Sequence, residues 1–114
     1  SKMTTAPEFR SIVDLYVKHG WVLRRVLLSA SLQNKLAGQI ASDFPDVPIH
    51  DRDFDAAWFS RPPAAGPIAW EVRNLGSTPY ALVEHLDEKD PEFEAALETA
   101  EQRMVAAVAS RRSA

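Results

Sequence analysis

The chain contains no cysteine. Disulfides, thiolate nucleophiles and metal centres built on thiolates are therefore excluded, and the chain is compatible with a reducing compartment. Glycine is scarce: Gly20, Gly38, Gly66 and Gly76 are too scattered to form a phosphate-cradling loop. No apolar run approaches the ~20 residues that a membrane-spanning helix needs. The first residues also lack the charged-then-apolar layout of a secretory signal. A basic excess is missing too. With 16 acidic and 13 basic side chains the net charge is −3, the wrong sign for a protein that coats nucleic acid. These absences lead to the expectation of a cytoplasmic protein with neither membrane nor nucleic acid as its partner.

What is present is an ordinary globular composition, 46% apolar and 25% charged over 114 residues. It suits one small domain spanning 1–114, with flexible ends at 1–5 and 110–114. Phe9, Ile12, Val13, Tyr16 and Val17 recur at helical spacing, predicting a first helix from Ala6 to His19. Thr5 and Glu8 stand three apart as in a capping box, and Gly20 suits the left-handed stop. Trp21–Leu28 reads as a strand. Leu32, Leu36, Ile40 and Phe44 then follow at i+4 spacing, predicting a second helix from Ser31 to Phe44 with Ser29 or Ser31 at its cap. The segment from Asp43 to Asp55 is crowded with Asp and Pro and reads as a loop.

Three runs rich in β-branched and aromatic residues come next: Ala57–Arg61, Ile68–Arg73 and Tyr80–His85. Pro62–Pro67 and Gly76–Pro79 separate them, the pattern of an antiparallel meander. Asp90-Pro91-Glu92 opens a last helix whose apolar stripe is Phe93, Ala96, Leu97, Ala100, Met104, Ala107 and Val108. Its glutamates, Glu92, Glu94, Glu98 and Glu101, lie in the N-terminal half, as the helix dipole favours. The expected fold is α+β in the order α-β-α-β-β-β-α. It has a four-stranded, mixed or antiparallel sheet with the helices packed mainly on one face. The helix between the first two strands suits a parallel crossover.

Period-two alternation places Ile68, Trp70 and Val72 on one face of their strand and Ala69, Glu71 and Arg73 on the other. Trp58 and Phe59 are neighbours and point in opposite directions. Both faces of the meander thus carry apolar groups, and aromatics beside arginine are typical of protein interfaces. The candidate partner-binding residues are Trp58, Phe59, Arg61, Glu71 and Arg73. The expectation is a non-enzymatic interaction domain, a homodimer through this face, with no catalytic residue, metal or cofactor assigned.

Two alternatives come from other residues. His50, Asp51, Asp53 and Asp55 could ligate a divalent ion or serve a small-ligand enzyme. As a calcium loop, however, the segment has Ala56 where glycine belongs and Pro62 where a bidentate glutamate belongs. Arg24, Arg25, Arg61 and Arg73 beside Trp58 or Phe59 could bind an anion or single-stranded nucleic acid by stacking and phosphate contact.

Overall fold

A computed structural model describes residues 4–113 of the chain, with side chains through residue 111. The described residues form α1 (Ala6–Lys18), β1 (Val22–Leu28), α2 (Ala30–Asp43), β2 (Ile49–Asp51), β3 (Ala56–Arg61), β4 (Ile68–Asn74), β5 (Ala81–Leu86) and α3 (Phe93–Ser113). Among them no helix is long and apolar enough to cross a membrane. The α+β class and the mixed sheet stand as expected, but the sheet has five strands, in the order β2-β1-β3-β4-β5. The additional strand is β2, three residues inside the segment read as a loop. Its brevity hides it from any periodicity argument.

β2 also corrects the crossover. The parallel connection through α2 joins β1 to β2, pairing Val26 with Ile49 and Leu28 with Asp51, whereas β1 and β3 are antiparallel. The chain then passes over the end of β1 to start β3 on its other side. Asp55 pins that passage by accepting hydrogen bonds from the Ser29 amide at 2.7 Å and the Ser29 hydroxyl at 2.9 Å. Ser29 is the residue before α2, but its hydroxyl is given to Asp55 and caps no helical amide.

The capping box of α1 is complete. The Glu8 amide bonds the Thr5 hydroxyl, the Glu8 carboxylate accepts from the Thr5 amide, and Gly20 follows with φ 88. Of the ends expected to be flexible, Thr4 is buried, Thr5 is the cap of α1 and residues 110–113 lie in α3. Residues 1–3 and 114, the remainder of the expected flexible ends, lie outside the described residues. In α3 the Asp90 carboxylate takes the Glu92 amide at 2.8 Å, and the regular helix begins at Phe93.

The helices do not sit mainly on one face. α1 and α2 cover one side of the sheet, where Phe9, Val13, Leu32, Leu36 and Ile40 pack on Leu23, Val26, Leu28, Ala57 and Phe59. α3 covers the other, where Phe93, Leu97, Ala100 and Met104 pack on Leu27, Ala56, Trp58, Trp70 and Val72. The architecture is three layers with the sheet in the middle. A register shift between Leu23 and Arg25 inserts one extra residue into β1, so Arg24 and Arg25 both turn toward the α3 side. There Arg25 pairs with Glu94 at 2.9 Å. Arg24 reaches Glu88 at 2.7 Å and lies 4.6 Å from the Trp70 ring.

Glu101 is the residue whose placement departs furthest from its sequence reading. It lies within the apolar stripe, four residues after Leu97 and three before Met104, and is 1% exposed. Its carboxylate accepts from Trp58 Nε1 at 2.8 Å and pairs with Arg52 Nε at 3.2 Å. A buried carboxylate is tolerated only when hydrogen-bonded and compensated in charge, and both conditions are met here. Glu101→Ala leaves the Arg52 Nε and the Trp58 N–H without an acceptor, so urea unfolding should register a loss of about 3 kcal/mol. Glu101→Gln, which keeps an acceptor for Trp58, should lose less.

Candidate interaction site

The sheet has five strands and the α1/α2 layer spans only part of it. Over β4 and β5 the face on that side stays open. Its residues follow from the register: Arg61 opposite Ala69 opposite His85, Phe59 opposite Glu71 opposite Val83, and Ala57 opposite Arg73 opposite Ala81. α1 forms the wall between the covered and the open halves. Ile12, Leu15, Tyr16 and His19 from α1, Trp21 after the Gly20 turn, and Arg61 and Arg73 from the sheet enclose a groove of about 430 Å³.

Aromatic packing builds this wall. Tyr16 stacks on Phe59 with ring centroids 3.9 Å apart and planes 7° from parallel, and Trp21 meets Tyr16 edge-on at 6.0 Å. The Tyr16 hydroxyl donates to the Glu71 carboxylate. Burial, and then that carboxylate, push the phenol well above the ordinary tyrosine range. Arg61 lies 4.7 Å from the Trp21 ring and donates to the His19 carbonyl at 3.2 Å. Its aliphatic stem passes over Gly20, where the positive φ strains any other residue. Arg73 differs: among the described residues its side chain makes no ion pair or hydrogen bond, and its Nε is buried without an acceptor. Leu15, 57% exposed, and Val83, 44% exposed, add apolar surface at the rim.

Glu71 and Arg73 therefore share the open face, as their alternation predicts, and the register of β3 on β4 brings Arg61 beside them. Trp58 and Phe59 are fully buried and lie on opposite faces. Trp58 is held by Glu101 under α3, and Phe59 forms the floor beneath Tyr16. Tyr16, Leu15 and Trp21 were not among the candidate residues. The available signal was the run Leu15-Tyr16-Val17, which is more apolar surface than one helical stripe can bury. Val17, assigned to that stripe, is exposed.

Of the residues of the other two readings, Asp53 and Asp55 line one cavity and the rest are dispersed. Asp51 accepts from Gln33, Arg52 pairs with Glu101, Asp55 holds Ser29, and His50 lies in β2 opposite Leu27. Among the described residues no group of three or more His, Asp or Glu side chains converges as metal ligands would. The four arginines are split by the sheet. Arg24 and Arg25 are paired with glutamates on the α3 side, and Arg61 and Arg73 lie on the open side. No family model matches the chain, and neither a curated protein nor a solved structure matches it.

Two measurements follow. Tyr16→Phe removes a hydrogen bond to a carboxylate and should reduce unfolding free energy by about 1–2 kcal/mol while leaving the stack in place. His50 is held below the ordinary histidine range by burial and then by the Arg25 and Arg52 cations. The unfolded chain therefore binds the extra proton first as pH falls. The His50 contribution is complete above about pH 6.5, the unfolded value, and declines below it until the folded form is also protonated. Thermal melts from pH 7.5 to 5.5 should show a shallower decline for His50→Gln than for the natural chain.

Proposed function

We propose that this protein is a non-enzymatic interaction domain that docks a partner protein in the groove between α1 and the open half of the sheet. The partner segment it suits is extended or helical, acidic and partly apolar. The observation carrying this reading is Arg73, a guanidinium with a buried Nε and no acceptor among the described residues, beside Arg61 and apolar Leu15 and Trp21. A desolvated donor without a partner costs stability, and the terminal amino groups of the same guanidinium, which are not among the buried atoms, could take a carboxylate from outside in a charge-assisted bond. Aromatic and arginine side chains around an apolar floor are the usual composition of an interface centre.

Charge also bears on the kind of partner. The groove lining holds Arg61, Arg73 and His19 and no carboxylate, and Glu71 next to it is engaged by Tyr16. With Glu71 counted beside Arg61 and Arg73 the face keeps a small positive excess, which favours an acidic partner over its own copy.

A displayed library of random peptides tests the reading directly. Selection should enrich sequences that combine Asp or Glu with Leu, Phe or Trp, with binding lost in Arg73→Ala and weakened by salt. Enrichment of basic sequences, or binding indifferent to both Arg61→Ala and Arg73→Ala, would overturn it.

A further inference from the structure

A strand at the end of a sheet leaves every other pair of backbone groups unbonded, and proteins ordinarily blunt such an edge by brevity, charge, proline or a bulge. β2, at one edge, has three residues. β5, at the other, has six, pairs with β4 in unbroken register, and contains neither lysine nor proline. Its one carboxylate, Glu84, belongs to the α3 side and is bonded there to Arg103 at 2.6 Å. Glu84 apart, β5 carries none of the usual protections: it is not short, bulged or broken by proline.

The phase of the ladder shows which groups are free. The Asn74 amide donates to the Tyr80 carbonyl at 2.8 Å, so residues 74 and 80 form a hydrogen-bonded pair. Antiparallel alternation makes 72 with 82, 70 with 84 and 68 with 86 bonded pairs as well. The N–H and C=O groups of Ala81, Val83 and His85 therefore point away from β4. Among the described residues no turn, helix or side chain bonds to them. The side chains of the same three residues lie on the open face, and all three are exposed.

We propose that a second copy of the chain occupies this edge, β5 against β5 antiparallel, about a two-fold axis passing at Val83. The strand's sequence selects that register. Centred on Val83, the outward backbone groups of one copy meet those of the other, Val83 faces Val83, Ala81 faces His85 and Leu82 faces Glu84. No like charges are opposed. Centring on Glu84 also lets outward groups meet, Val83 with His85, but it sets two carboxylates opposite each other, which destabilises the pair. Centring on Ala81 or His85 shortens the overlap. Val83 is among the most exposed large apolar residues of the chain, and in this arrangement it packs against its own copy. The two-fold makes one continuous sheet with both open half-faces on the same side. A partner bearing two acidic segments would then be held at both grooves.

The dimer rests on backbone groups of β5 and not on Arg61 or Arg73, so its test separates from that of the groove. Light scattering coupled to size exclusion, run from low to high micromolar concentration, should rise from the chain mass of 12.7 kDa to twice that value. Arg73→Ala should leave the dimer intact. Val83→Pro removes an outward N–H and no bond to β4, so it should stay monomeric with an unchanged circular dichroism spectrum. Val83→Lys serves if the proline variant does not fold. It places two cations across the axis and should weaken association several-fold at low salt. The amides of Ala81, Val83 and His85 should exchange slowly in the dimer and fast in the variants. A monomer at every concentration would overturn the proposal. So would a dimer whose Val83 amide exchanges freely, or an edge protected only when a foreign peptide is added.

Discussion

Trp58 and Phe59 are adjacent on the central strand and must be sheltered on opposite sides of it at once. Burying each contributes about 2–3 kcal/mol, and neither can be satisfied from the other's side. That single requirement forces helices onto both faces of the sheet. α3 is committed to the tryptophan and α1 with α2 to the phenylalanine. A chain with three helices and five strands cannot cover both faces completely. The half-face of β4 and β5 beside α1 is what this division leaves over, and the groove, Arg73 and the exposed Val83 all lie on it.

Each side of the sheet is then secured by a carboxylate that meets an aromatic donor. On the α3 side Glu101 takes the Trp58 N–H and the Arg52 guanidinium in a nearly dry environment. On the α1 side Glu71 takes the Tyr16 hydroxyl, which fixes the tyrosine ring over Phe59. The two arrangements differ in consequence. Glu101 is enclosed, with only the partly exposed Arg52 between it and the surface. Glu71 sits where cover ends, so the same bond that stabilises α1 also fixes the wall of the open groove.

Much of this was legible in the residues. The helix of α1 and its Thr5–Glu8 cap follow from spacing and local hydrogen bonding, as does the stop at Gly20. The alternation of Ile68, Trp70 and Val72 against Ala69, Glu71 and Arg73 assigned the two faces of β4 correctly, because side-chain direction in a strand is set by the backbone alone. The site was partly legible for the same reason: Glu71 and Arg73 share a face by parity, whereas Arg61 joins them only through the register of β3 on β4. The remaining members of the groove come from another element. Tyr16 and Leu15 sit on a helix whose rotation about the sheet is decided by how Phe9 and Val13 pack, and no local pattern carries that information.

The amino-acid sequence by itself determined the helices, the three strands of the meander and the face on which each of their side chains falls, since propensity, capping and parity act over a few residues. Only the tertiary structure decided that β2 completes the sheet, that α3 lies opposite α1 and α2, and that Glu101 is a core residue. These outcomes depend on which surfaces compete for the same cover. A three-residue strand gains its hydrogen bonds from a distant partner, β1, and a glutamate on an apolar stripe becomes tolerable only once Trp58 and Arg52 are brought to it. Long-range packing supplies those partners, and local sequence cannot.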